Sequence, residues 1–173
     1  MSDGEAVRRV LAGEVECLRV LVQRYTQEFG RLAEALVGDA DAAEDALQEA
    51  FISAYERLGS CRDPDRFGGW FYRIVANKCL DAKRRKKLLP LEDTEVASRE
   101  TADGPVREAE VDQLFQGALA ELTPEQREAF VMREVDGRSY EEMAVLMDTG
   151  VDALKMRVHR ARDALKKRLR DVL

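Results

Sequence analysis

The chain has a single histidine, His159, and three cysteines, Cys17, Cys61 and Cys79, which stand far apart with no Cys-x-x-Cys pair. That scarcity leaves no cluster at metal-ligand spacing, and an odd, scattered cysteine set argues against a disulfide framework. No apolar run reaches the roughly 18 residues needed to cross a bilayer. The opening MSDGEAVRRVLAGE lacks the basic start and unbroken apolar core of a signal peptide, so a cytoplasmic location without membrane insertion is expected. Gly-rich phosphate loops and nucleophile–base sets are also missing. An enzyme is therefore not expected, and neither is a cofactor or metal. Long β-branched runs are few, which favours helices with wet outer faces.

Charge is plentiful but unevenly placed. The net charge is −6. Residues 1–60 contribute −6, residues 61–87 +6, residues 88–137 −9 and residues 138–173 +3. Two basic segments thus alternate with two acidic ones. A net-acidic protein is a poor nucleic-acid binder on average, but this distribution argues for two separate basic contact surfaces.

Everything periodic reads as helix. From Glu5 to Val37, apolar residues recur at spacings of three and four, with Gly13 separating a short first helix from a longer second one. In GDAD (38–41), Gly38 ends one helix and Asp39 or Asp41 opens the next. GSCRDPDRFGG (59–69) is loop-like by its Gly, Pro and Asp. A helix starting near Phe67 then carries an apolar stripe of Trp70, Phe71, Ile74 and Val75. From Leu88 to about Arg107 the pattern is lost, and this stretch reads as a linker. TPEQ (123–126) and SYEE (139–142) are capping boxes that start two further helices. The expected fold is all-α, with two small helical domains, 1–87 and 108–173, joined by a flexible linker at 88–107.

A short capped helix, a turn at Asp148-Thr149-Gly150 and a longer basic helix form a helix-turn-helix pattern. Val151, Leu154 and Val158 fall on the stripe that packs inward. Lys155, Arg157 and Arg160 fall off it and can reach phosphates or guanine edges. The basic end, Lys166 to Arg170, reads equally as a solvated C-terminal turn. The other basic segment, WFYRIVANKCLDAKRRKK, interleaves aromatics with Arg, Lys and Asn, a combination suited to unpaired bases and phosphates. An aromatic core stripe with a charged outer face would look the same.

Three stretches together resemble the bacterial extracytoplasmic-function (group 4) sigma factors, the reduced two-domain type of RNA polymerase sigma subunit. DAAEDALQEAFISAYERL (41–58) is similar to the family's polymerase-binding region, and RFGGWFYRIVANKCLDAKRRK (66–86) to its −10 recognition and melting region. LAELTPEQREAFVMREVDGRSYEEMAVLMDTGVDALKMRVHRARDALKKRL (119–169) is similar to its −35 binding domain.

The resemblance implies partners as well as sites. Asp45, Gln48 and Glu49, at i, i+3 and i+4, would dock on the clamp helices of the polymerase β′ subunit, and the second domain would meet the β flap. Arg62, Asp63, Phe67, Trp70, Arg73, Asn77, Lys78, Arg84 and Arg85 would serve the −10 element, where a base flips out of the duplex. Ser139, Tyr140, Asp152, Lys155, Arg157, His159 and Arg160 would face the −35 element. Relatives are usually held inactive by an anti-sigma factor, which is expected here too.

One stretch departs from the family pattern. Where members commonly read like PVGTVKSR, this chain has GVDALKMR (150–157). Asp152 would accept from cytosine N4, changing the −35 sequence preferred, or would weaken binding by repulsion. Two alternatives follow: a sigma-like decoy that captures an anti-sigma factor, and an ordinary helix-turn-helix regulator. The regulator would leave the acidic helix motif and the aromatic-basic helix unexplained. Cys61, in the loop before Phe67, is read as structural.

Overall fold

The structure, a computed structural model, describes residues 1–88 and 104–170. Its regular elements are helical: α1 (Asp3–Leu11), α2 (Leu18–Val37), α3 (Ala40–Glu56), α4 (Phe67–Leu88), α5 (Gly104–Glu121), α6 (Pro124–Phe130), α7 (Tyr140–Met147) and α8 (Val151–Arg170). The all-α expectation holds. Residues 89–103 of the expected linker lie outside the described residues. Gly104 to Arg107, read as linker, belong to α5 instead. Gly-Pro was taken there as a loop signal, yet proline is tolerated in a first helical turn, where its missing N–H would have had no partner.

The punctuation residues act as their chemistry dictates. Gly38 closes α2 at φ +78°, donating its N–H to the Glu34 carbonyl, and the Asp39 side chain then accepts from Ala42 N–H at 2.9 Å to open α3. Both capping boxes are formed, Thr123 with Gln126 and Ser139 with Glu142. Asp148 ends α7 in the left-handed region at φ 49°, a conformation its short polar side chain tolerates. The α6 helix continues through a wider π turn, Val131–Val135, before stopping at Asp136-Gly137. The segment 58–66 carries two short 3-10 turns, Leu58–Ser60 and Pro64–Arg66.

The α1–α4 bundle is built on an aromatic cluster. Phe71 meets Phe51 at 4.6 Å and Phe67 at 5.4 Å between ring centroids, while Phe29 meets Tyr72 edge-on at 5.4 Å. The fully buried rings among them, Phe29, Phe67, Phe71 and Tyr72, contribute about 1.5–3 kcal/mol each. The expected α4 stripe is therefore largely core, with Trp70 half-exposed at its edge and Tyr72 buried beside it. The Tyr25 hydroxyl donates to Asp3 at 2.5 Å, which ties α1 onto α2.

In α5–α8 the inward stripe of α8 is Leu154, Val158, Ala161 and Leu165, set against Leu119, Met132 and Met143. The Arg127 guanidinium donates to the carbonyls of Leu119, Ala120 and Leu122, satisfying the open end of α5.

The two bundles do not stand apart. They share one continuous apolar cluster, and α4 packs on α7. At the crossing the approach is so close that a Cβ on Gly69 would lie 1.8 Å from the Leu146 carbonyl oxygen. A Cβ on Gly68 would lie 2.6 Å from the Tyr25 hydroxyl.

Candidate nucleic-acid interface

The α3 residues Asp45 and Gln48 are exposed, and Glu49 beside them is half-buried. Further along the same helix, Ile52 and Tyr55 are exposed apolar side chains. Glu49 is already engaged within the chain. It accepts from Arg85 at 3.2 Å, and the Lys78 ammonium lies 3.8 Å away. The acidic set and part of the basic α4 set therefore meet, which spacing alone did not reveal.

The loop before α4 is organised by its own side chains. Asp63 accepts from Asp65 N–H at 3.1 Å and pairs with Arg66 at 3.2 Å; the Cys61 thiol donates to the Asp63 carbonyl at 3.4 Å. Burial pushes the Cys61 thiol above its ordinary pKa, so it is not poised as a reactive thiolate. Arg62 and Asp63 are exposed, whereas Phe67 is fully enclosed in the aromatic cluster. Phe67 thus shapes the α4 start from beneath rather than presenting a surface.

Together this loop and α4 form one wall of a cleft of about 380 Å³, lined by Cys61, Arg62, Asp63, Trp70 and Arg73. The opposite wall is Leu146, Met147 and Asp148 from the end of α7. Along α4 the Arg73, Asn77 and Arg84 side chains are exposed at spacings of four and seven, so they share a face. Arg84 lies 3.9 Å from Asp81.

At the helix-turn-helix, Ser139 donates its backbone N–H to Glu142 at 2.7 Å, and this holds the Glu142 carboxyl below its ordinary pKa. The Tyr140 ring lies beneath the Arg133 guanidinium at 4.7 Å and the Lys155 ammonium at 5.8 Å. On α8 the residues Asp152, Lys155, Met156, His159 and Arg160 are exposed, and Arg157 is half-buried. His159 lies 3.3 Å from Asp163 one turn on. The other cations are divided: Arg162 pairs with Glu134 and Arg168 with Glu121, while Arg160 has no partner among the described residues.

Sequence reasoning missed the acids that face these cations across the two bundles. Glu128 of α6 accepts from Arg73 at 3.1 Å, and Asp148 pairs with Arg66 at 2.6 Å. The Glu128 side chain is only 12% exposed, and burial raises its pKa despite Arg73 and Arg157 nearby. Its spacing in PEQREAF marks an ordinary outer-face acid. Only Gly68-Gly69, an unfavourable pair in a helix, hinted at a close approach.

Comparison with known proteins supplies the deciding observation. The description "Sigma-70 region 2" matches residues 21–88, and "Sigma-70, region 4" matches residues 112–165. The ECF RNA polymerase sigma factor SigW of Bacillus subtilis (strain 168) is 31% identical over 179 residues, covering 96% of both chains. The chain belongs to the extracytoplasmic-function (ECF) sigma factors of the sigma-70 family. This sigma factor is also similar to the RNA polymerase sigma-H factor of Pseudomonas aeruginosa, at 33% identity over 99% of this chain and 95% of that one. The ECF RNA polymerase sigma-E factor of Escherichia coli (strain K12) is 31% identical over 100% of this chain and 97% of that one. Among solved structures, CnrH in complex with the cytosolic domain of CnrY shares the fold, with a TM-score of 0.55, 24% identity, and coverage of 98% and 97%. Region 2 therefore spans α2–α4 and region 4 lies within α5–α8. No described helix is long and apolar enough to cross a membrane.

Proposed function

We infer that this ECF sigma factor binds core RNA polymerase and directs it to promoters carrying −35 and −10 elements, aiding DNA opening there. The observation that carries this reading is the presence of both sigma-70 regions in one chain, each bearing an exposed basic helix face. We take residues 1–87 as the region 2 domain and 108–173 as the region 4 domain, joined by the stretch 88–107, whose last residues, Gly104 to Arg107, are already the first turn of α5.

The exposed α3 residues Asp45 and Gln48, with Glu49, are the surface for the β′ clamp helices. Docking there draws Glu49 toward the polymerase and releases Lys78 and Arg85 for phosphate. The cleft beside Trp70, Arg62 and Asp63 receives an unstacked −10 base, and Arg73, Asn77, Arg84 and Arg85 follow the strand. Phe67 supports that cleft from the core. Lys155, Arg157 and Arg160 meet −35 phosphates or bases; Ser139, Tyr140 and His159 flank them, and Asp152 tunes the base preference. Region 4 also meets the β flap.

The factor is an initiation subunit rather than an enzyme, and it works in the cytoplasm with the polymerase and chromosome. The fold it shares with CnrH, a protein solved with the cytosolic domain of CnrY, supports an anti-sigma partner here as well. The decoy reading rests on one observation: α8 begins with an exposed Asp152 and an exposed Met156 where relatives commonly carry small or polar residues.

Reconstituted transcription tests the assignment. Purified chain, sigma-free core polymerase and sheared genomic DNA are combined, and transcript starts are sequenced. Discrete starts sharing upstream elements are expected. Binding to core without starts, or no binding at all, would favour the decoy or an ordinary regulator.

A further inference from the structure

The proposed function gives the first helix no part, and α1 lies ahead of the stretch, 21–88, that matches region 2. Yet it is firmly seated. Ser2 caps it, accepting from Glu5 N–H at 3.1 Å. Ala6 and Val7 are fully buried, and Val10 nearly so. Asp3 accepts from the Tyr25 hydroxyl and pairs with Arg24, which also donates to the Met1 carbonyl at 3.1 Å. Besides α2, α1 packs on both 3-10 turns of the 58–66 segment, the loop that leads into α4.

We propose that α1 positions this loop for promoter reading, and that Arg8, by gripping Asp65, is a positioning residue for selection of the unstacked −10 base. This rests on the assignment of the cleft beside Trp70, Arg62 and Asp63 to that base.

The grip is two-pronged. Arg8 Nη1 donates to one Asp65 oxygen at 3.3 Å, and Nη2 donates to the other at 3.2 Å. Parallel bonds of this kind fix direction as well as distance, which a lysine's point charge does not. Among the described residues, Arg8 is the cation that Asp65 pairs with.

Shape agrees with charge. A Cβ at residue 4 would lie 1.8 Å from Asp65 Oδ1 and 3.0 Å from Arg8 Nη2. Glycine weakens a helix relative to alanine. Here the space it leaves on α1 is taken by the Asp65 carboxylate.

Few bonds separate the grip from the cleft. Asp65 N–H donates to the Asp63 side chain at 3.1 Å, and Asp63 pairs with Arg66 at 3.2 Å. The Cys61 thiol donates to the Asp63 carbonyl at 3.4 Å. Asp65 thus faces α1, while Arg62 and Asp63 just before it line the cleft.

Magnitude decides what the pair is for. Both partners stay more than half exposed, so the pair adds little to overall stability. Its loss should change where the loop points rather than whether the first bundle folds.

The test uses the full chain with core polymerase on a promoter library randomised across the −10 element, with transcripts counted for each sequence. Arg8→Ala, Asp65→Ala and the double variant are compared with wild type. Each should relax the preference at the unstacked position severalfold. The double variant should do no more than either single one, because all three remove the same contact. Core binding and the unfolding midpoint should stay near wild type. Gly4→Ala keeps both charges and favours the helix, and it should relax the same position by displacing the Asp65 carboxylate.

Unchanged preference in Arg8→Ala and Asp65→Ala would make the pair an ordinary surface contact and overturn the proposal. Additive effects of the two single changes would overturn it too. So would loss of core binding in step with selectivity, which marks a folding role. A wild type that gives starts but has no preference within the −10 element would overturn the assignment of the cleft to a base, and this proposal with it. Absence of starts from the wild type would instead count against the sigma-factor reading as a whole.

Discussion

Neighbouring residues on α8 have opposite fates, and the difference can be measured. Leu154 is 1% exposed and Met156 is 51% exposed. Leu154→Ala removes packed methyl groups from the region 4 core and is expected to cost about 2–5 kcal/mol. Met156→Ala should stay within about 0.5 kcal/mol. Chemical denaturation of the two variants checks this contrast; similar losses would mean that the inward stripe is misplaced. For function, Arg157→Ala is expected to weaken −35 binding and to lower the salt slope of that binding by about one unit. Fluorescence anisotropy across a salt series reads both quantities. Asn77→Ala is expected to impair opening of a −10 element while core binding is kept. Permanganate footprinting beside a core-binding assay distinguishes this from a folding defect, since a misfolded region 2 would lose both.

The helix ends carry a pH signature. Glu142 closes the α7 capping box on the Ser139 N–H, and that bond depresses its pKa. A carboxyl whose pKa is lower when folded binds fewer protons in the folded state, so its contribution is present above the ordinary glutamate range. The contribution fades as pH falls through the depressed value. Glu142→Gln keeps a side chain that can accept from the N–H but removes the titration. The stability gap between wild type and this variant should therefore be largest near neutral pH and shrink in acid. Thermal unfolding at several pH values measures it, and a gap independent of pH would show that the carboxylate form is not what the cap uses.

Across the whole molecule, opposite charges are segregated rather than mixed. The chain carries a net −6, while its basic residues concentrate in α4 and α8. Non-specific affinity follows the number of phosphates neutralised, and the acidic remainder works against it. The free chain is therefore expected to bind a promoter duplex more weakly than it does in complex with core polymerase. Anisotropy at fixed salt with and without core makes the comparison; equal affinity would mean the acidic surface plays no part in restraint.

How much of this was legible beforehand depended on whether a feature is local. Gly38-Asp39, Thr123–Gln126 and Ser139–Glu142 act on backbone groups within four residues, so type and spacing predicted their roles. The stripe of Leu154, Val158, Ala161 and Leu165 was legible for the same reason, since helical periodicity sets which side turns inward. The sigma-family motifs were legible because each lies within one stretch of chain. What spacing did not reveal was Glu49 meeting Lys78 and Arg85, Glu128 meeting Arg73, and the Leu146 carbonyl lying over Gly69. Helix periodicity decides which face a residue is on, but not which distant helix that face will touch. Those partners are 29 to 77 positions apart in the chain; packing of α3 on α4 within the first bundle joins Glu49 to Lys78 and Arg85, and packing of the two bundles brings the other partners together.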